Sequence, residues 1–457
     1  MGLPHSLRPR ASTRAAESVA AAAPATATPV QSRPDATETK TLVHSEVLLR
    51  IDAAATAALS RAELAERVEQ IVAEIGKERR LLLNQQEQHE IAVEITDDMV
   101  GLGPLEPLLR DPGVADILVN GANQVYIERK GKLELTGVRF RNDAHVLHVA
   151  QRIASAVGRR VDESSPMLDA RLQDGSRVNV IIRPLSLRGP CISIRKFSRK
   201  FVDLAELMRL SGATASLTRA LEIAARCRLN IIISGGTGSG KTTLLNAMSR
   251  LIDPAERVIT IEDAAELQLQ QPHVIPLETR PPNIEGEGRV IQGDLLRNAL
   301  RMRPDRIIIG EVRGGEAFDM LQAMNTGHNG SMSTIHANTP TDALARIENM
   351  VIMGGVQLPS RAIRRQIASA VDLVIQIERM RDGVRRIVQV AEVVGVEEEA
   401  IVLAPLFTYV YLGENLDGTL RGEYVASAHR PRFLARLDYY GLGAPFVAAL
   451  GAPRLDG

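Results

Sequence analysis

Residues Leu229 to Met248 read LNIIISGGTGSGKTTLLNAM. The run from Leu229 to Ser234 has the length and branching of a buried strand, the glycines make a turn, and Leu244, Leu245 and Met248 open a helix. The centre matches G-x-x-x-x-G-K-[ST] at every position, a phosphate cradle in which backbone N–H groups and a helix N-terminus converge on an anion. Gly235, Gly236, Thr237, Gly238, Ser239, Gly240, Lys241, Thr242 and Thr243 are therefore the expected nucleotide contacts. Lys241 is expected to reach the β- and γ-phosphates and the Thr242 hydroxyl to ligate Mg2+, so ATP and Mg2+ are the expected cofactors.

Splitting ATP needs a group that orients or deprotonates water, because phosphoryl transfer relies on placement and charge stabilisation. Three later segments end apolar strands in polar residues, and parallel strands of one sheet end at the edge where the cradle lies. Val258-Ile259-Thr260-Ile261 runs into Glu262-Asp263, Arg306 to Gly310 into Glu311, and Ser331 to Ile335 into His336. Glu311 is the expected general base, with Glu262 supporting the metal or the water. The plain alternative for both acids is an exposed strand end, and for His328 and His336 a satisfied core histidine. No cysteine accompanies the two histidines, so a metal pair is not expected. A strand of this kind usually carries an Asp before the Glu, and here Gly310 stands in that place, which leaves Mg2+ to Thr242, phosphates and water. Ten arginines crowd the same regions: Arg171, Arg177, Arg183 and Arg195, then Arg280, Arg297, Arg301, Arg303, Arg306 and Arg313. Two or three of these ten are expected to touch nucleotide, since an arginine supplied across an interface is worth about 10³–10⁵ in rate.

At 457 residues the chain has room for about three folded units. Lys plus Arg and Asp plus Glu balance at 55 each, so no net field draws it to nucleic acid or anionic lipid. Aromatics make up 3% and Trp is absent, so stacking platforms for single strands are scarce and no nucleic-acid partner is expected. Cys191 and Cys227 sit in no metal-ligand spacing and read as reduced thiols. No apolar stretch approaches the ~18 residues of a membrane span, and a cytoplasmic location is expected.

Residues 1–41 are rich in Ala, Pro, Thr, Ser and Arg and are expected to be a disordered leader. Met1 to Ser6 fits a loose myristoylation pattern and the stretch is acid-poor like a transit peptide, but both patterns are short and common. Residues 42–98 turn helical, with Leu59, Leu64, Val68, Ile71, Val72 and Ile75 at helical spacing and Ser60 as a cap beside Glu63. Hairpins mixed with a helix make 99–198 an α+β module, 199–207 a hinge, 208–400 a βαβ domain with a parallel sheet, and 401–457 a C-terminal extension.

The strings GGTGSGKTT, ITIEDAAEL, LETRPPNIEGEG, ALRMRPDRIIIGEVRGGEAFDML and AMNTGHNGSMSTIHANTP together resemble the secretion-superfamily ATPases of type II and type IV systems, the VirB-type superfamily. Within them the chain is most similar to the CpaF/TadA-type ATPases of tight-adherence (Flp) pilus assembly, from roughly residue 95 to 441. The resemblance makes Gly235 to Thr243 the Walker A, Glu262 the Asp-box acid, Glu311 the catalytic Glu of the Walker B, and His328 with His336 the His box. It makes Gly310 usual at its position. Arg301 corresponds to the arginine before the Walker B strand and joins the expected catalytic set, and Arg195 to the arginine that an N-terminal domain brings to the phosphates. The implied fold is α/β: a P-loop, RecA-like C-terminal domain with a mainly parallel sheet, after a smaller α+β, PAS-like domain and a helical appendage. The implied assembly is a homo-hexamer docked at the inner membrane through pilus or secretion platform proteins.

Overall fold

A computed structural model describes residues 36–51, 59–129, 131–197, 203–282 and 286–451. The expected leader as far as residue 35, and residues 199–202 of the expected hinge, lie outside the described residues. The chain divides into two units, Met1–Gly103 and Pro104–Gly457.

The first unit contains helices Ala36–Arg50, Arg61–Glu78 and Gln85–Val100. Helical order thus begins six residues before the sequence boundary at Leu42. Ser60 and Glu63 form the expected capping box at the start of the second helix, and Asn84 with Glu87 forms another at the third. Leu64, Val68, Ile71, Val72 and Ile75 close a shared core with Val43, Val47, Ile91 and Ile95. Leu59, which precedes the cap, stays outside it at 39% exposure.

The second unit holds two sheets. The smaller comprises β1 (Val114–Asn120), β2 (Val125–Arg129), β3 (Lys132–Leu135), β4 (Met167–Arg171), β5 (Arg177–Ile181) and β6 (Cys191–Arg195), in the order β3-β2-β1-β6-β5-β4. All its pairings are antiparallel. Ile117, Val119, Val178, Val180, Ile192 and Ile194 alternate inward, and helix Asp143–Ala156 buries Val146, Val149, Ala150 and Ile153. On the opposite parity the register lines up Asp116, Arg195, Arg177 and Arg171 as one row across β1, β6, β5 and β4.

The larger sheet comprises β7 (Ile231–Ser234), β8 (Val258–Glu262), β9 (Val274–Glu278), β10 (Arg306–Ile309), β11 (Met332–Ile335), β12 (Leu373–Arg379), β13 (Arg385–Glu397), β14 (Ala400–Glu414) and β15 (Leu420–Ala426). Its order is β15-β14-β13-β12-β7-β11-β10-β8-β9. The six strands from β12 to β9 are parallel, and β13 to β15 add an antiparallel meander. The central order β12-β7-β11-β10-β8 is RecA-like, with the cradle strand inside the sheet. Parallel strands covered on both faces must be apolar throughout, and every residue of β7, β10 and β11 is buried. Ile231 and Ile233 pack into one layer with Leu217, Leu221, Leu244 and Met248, whereas Ile232 packs into the other with Leu296, Met320 and Leu344. Residues beyond 401 continue this sheet, and Leu437 and Phe446 of the short terminal helices join the first layer. Among the described residues no helix is long and apolar enough to cross a membrane.

Candidate functional site

The cradle forms where β7 meets helix Lys241–Ser249. Gly238 and Gly240 take φ of 69° and 101°, which other residues adopt only under strain. A Cβ on Gly235 would collide with the Ile377 carbonyl of β12 and with Ser239 Oγ. Lys241 is buried and folds back over the turn, its Nζ donating to Gly235 O and Gly236 O at 3.0 Å each. Burial holds its ammonium below the ordinary lysine value, against the opposing charge of Glu311. Ser239 Oγ is buried inside the turn without a partner. A turn closed by positive-φ glycines, a buried cation lacking a carboxylate in hydrogen-bond contact and an unpartnered hydroxyl fit a bound phosphate chain. Thr242, half-buried on the first helical turn, is placed to meet a metal held by that chain.

His336 and Glu311 follow β11 and β10 and Glu262 closes β8, so they stand at the ends of successive strands beside the cradle, at the edge the sequence assigned them. His336 Nε2 lies 3.3 Å from Glu311 Oε1. Arg313 Nε donates to Glu311 Oε2 at 2.8 Å, its Nη2 makes a second bond to the same oxygen, and its Nη1 lies 3.7 Å from Asp263. Burial lowers the His336 imidazole pKa, the Lys241 charge adds to this, and Glu311 opposes it.

Glu262 is 4% exposed, and its Oε1 accepts from the backbone amides of Glu266 at 2.9 Å and Leu267 at 3.0 Å. Burial nevertheless pushes its carboxyl up to about 7. It stands three strands from the cradle, roughly 14 Å at the usual spacing, with its side chain against Gly310.

Across a cleft of about 1240 Å³, the arginine row of the smaller sheet faces the acidic segment after β8 and the end of β9. Arg171 pairs with Glu278 at 2.9 Å and Arg177 with Glu266 at 3.1 Å, while Arg195 is held by Asp116 at 3.2 Å. Three like charges opposite one another on neighbouring strands repel, and these carboxylates relieve them. Arg195 also lines a second cavity of about 450 Å³ together with Gly238 to Thr243. Arg280 lines the larger cleft, donating Nε to Gly288 O at 2.7 Å.

Two expected site residues lie elsewhere. His328 precedes β11 and Arg301 precedes β10, so both occupy the sheet edge away from the cradle, His328 with Nδ1 3.3 Å from Ala323 O. Arg306, one of the crowded arginines, is wholly buried and bonded to Glu256 and Ala225 O, so it serves the core. Arg385 of β13, which no motif signalled, reaches the cradle with Nε 2.9 Å from Gly238 O.

The pattern that defines the family described as Type II/IV secretion system protein matches residues 98–399. A Mycobacterium tuberculosis protein named provisionally for conjugal transfer is 39% identical over 300 residues, 64% of this chain and 85% of that protein. The type IV secretion system protein PtlH of Bordetella pertussis is 36% identical over 316 residues, 62% of this chain and 91% of its own. Among solved structures, the VirB11 ATPase from the Brucella suis type IV secretion system, in complex with sulphate, is 30% identical, covering 63% of this chain and 95% of its own at a TM-score of 0.35. The family match spans the cradle, both strand-end carboxylates and His336, and on it the chain belongs to the type II/IV secretion system protein family.

Proposed function

We propose that the chain is a Mg2+-dependent ATP hydrolase whose turnover drives a pilus or secretion machine. The observation that carries this reading is the succession of cradle, His336 and Glu311 on β7, β11 and β10, with Glu311 steered by Arg313 and His336. Lys241 exchanges its loop carbonyls for the β- and γ-phosphates. Thr242 would hold Mg2+, which would supply charge neutralisation to the phosphate chain. Glu311 orients or deprotonates the attacking water, His336 senses the γ-phosphate or polarises the network near it, and Glu262 supports the metal or the water.

The finer assignment is to the CpaF/TadA type, a cytoplasmic hexamer docked on inner-membrane platform proteins of a tight-adherence (Flp) pilus. The motif strings support it. In that setting the six-stranded module closes over nucleotide held by the larger sheet, and the residues between them act as the hinge. Arg301 and His328, remote from the cradle of their own chain, are in this reading placed to serve a neighbouring subunit.

A second reading, a motor for conjugative DNA transfer, is favoured by the names of relatives such as the conjugal transfer protein TrbB of Rhizobium radiobacter, 35% identical over 291 residues. It requires turnover stimulated by DNA with a steep salt dependence.

Phosphate release under multiple turnover tests the main reading. Lys241→Ala is expected to lose binding and hydrolysis, and Glu311→Gln to bind ATP while turning over about 10²–10⁴ times more slowly. Undiminished release by Glu311→Gln removes Glu311 from the chemistry, and a wild-type protein that binds ATP without release makes the nucleotide a geometric switch only.

A further inference from the structure

Three carbonyl oxygens of the cradle turn are held by cations. Lys241 holds those of Gly235 and Gly236, and Arg385 holds that of Gly238. A peptide plane sets its C=O and N–H in opposite directions, so fixing the Gly238 carbonyl also fixes the Ser239 N–H, which donates to Gly236 O at 3.4 Å. The positive φ of Gly238 and Gly240 is the local cost of that arrangement. Arg385 Cδ packs 3.1 Å from the position a Cβ on Gly240 would take. The residue lines the same 450 Å³ cavity as Gly238 to Thr243, Arg195, Leu207 and Ile387.

Arg385 differs from the arginines of the cleft that are paired with acids, and resembles Arg280, whose Nε bonds the Gly288 carbonyl. Arg171, Arg177, Arg195 and Arg313 each face a carboxylate within 4 Å, whereas the hydrogen bond found for the Arg385 side chain among the described residues is the one to Gly238 O. Its guanidinium charge is therefore not spent on an acid.

The hairpin that carries it is braced. Asp382 takes both terminal nitrogens of Arg386, at 2.9 and 2.8 Å, and also the backbone amides of Val384 at 3.1 Å and Leu420 at 3.0 Å. Arg386 in turn stacks over Tyr409, its Cζ lying 5.6 Å from the ring centre. The turn between β12 and β13 is thereby tied to β14 and β15.

We infer that Arg385 is a nucleotide-affinity residue that positions the Gly238–Ser239 peptide and adds an uncompensated positive charge for the phosphate chain. Through the Asp382–Arg386 brace, the C-terminal meander sets the shape of the cradle. The division of labour follows from chemistry. Lys241 must release its carbonyls when phosphate arrives, and Arg385 then remains as the anchor that keeps the turn from relaxing. Arginine suits the task because its Nε can bond the carbonyl while the planar terminal nitrogens stay available to an anion.

This rests on the nucleotide reading of the cradle, and its test keeps the two apart. Affinity for a fluorescent ADP and a fluorescent ATP analogue is measured on the full chain, with steady-state hydrolysis and a thermal melt for each variant. Arg385→Ala is expected to weaken both ligands about tenfold and to raise KM by more than it lowers kcat, with an unchanged melt. Arg385→Lys keeps the charge but lacks the second bonding direction, so it should recover only part of the loss. Asp382→Asn should shift affinity the same way. Arg381→Ala, on the same hairpin but paired with Glu414, should bind like wild type. Wild-type affinity in Arg385→Ala overturns the inference alone, as does equal damage from Arg381→Ala or full recovery by lysine. Absence of binding by the wild-type protein overturns the nucleotide reading with it.

Discussion

A Cβ placed on Gly310 would stand 2.8 Å from Cγ of Glu262 and 3.1 Å from its Oε1. The glycine before Glu311 is the space through which the neighbouring strand's carboxylate passes, so an Asp at this position and Glu262 in its present rotamer exclude each other. Gly310→Ala is expected to push Glu262 off the amides of Glu266 and Leu267, at about 1–3 kcal/mol of stability. The check is a thermal melt beside a phosphate-release assay, and a variant with intact stability and rate would show that the contact has no consequence.

Glu262 makes stability depend on pH in a defined direction. Its carboxyl sits near 7 in the folded chain against 4.5 in the reference state, because burial penalises the charged form. Between those values the folded state binds more protons than the unfolded one, so the contribution is full below about pH 4.5 and is lost as pH rises to about 7. The difference is on the order of 3 kcal/mol. Denaturant melts of the metal-free, nucleotide-free protein from pH 5 to 8 should show this decline, and Glu262→Gln, which still accepts from both amides, should flatten it.

The arginine row predicts a charge-dependent cleft. Arg171→Glu with Arg177→Glu places like charges against Glu278 and Glu266, and the smaller sheet is expected to swing away from the larger. Each partly exposed pair is worth about 0.2–1 kcal/mol, so single changes should be nearly silent and the double change visible. Solution scattering should record a larger radius of gyration, and adding Glu266→Arg with Glu278→Arg should reverse it. No change in radius at low salt would mean the pairs do not hold the cleft.

Arg306 is expected to matter for folding rather than turnover. Its side chain is 0% exposed and bonds Glu256 at 2.5 and 3.0 Å and Ala225 O at 2.7 Å. Arg306→Met leaves the Glu256 charge buried with Arg228, at 3.3 Å, as its remaining cation among the described residues, a loss of about 3–5 kcal/mol. Calorimetry on this variant and on the double change with Glu256→Gln, which should regain part of the loss, checks it.

Some elements carry too weak a pattern to be read from sequence. β4 has a single fully buried residue and β9 has none, so neither shows the alternation that marks a strand from sequence. The long β13 and β14 have bulged registers that break the period of two, and with β15 they read as an extension although they continue the sheet.

What the amino-acid order determined alone is local. A glycine turn between a buried strand and a helix, carboxylates and a histidine closing apolar runs, and capped helices with apolar faces follow from neighbours within a few residues, where periodicity and turn chemistry act. Strand order and register decided the rest, because they bring together residues far apart in the chain. They separated Arg301 and His328 from the cradle, buried Arg306, made Gly310 the counterpart of Glu262, set three arginines in a row against two acids, and carried Arg385 to the Gly238 carbonyl across 147 positions of sequence.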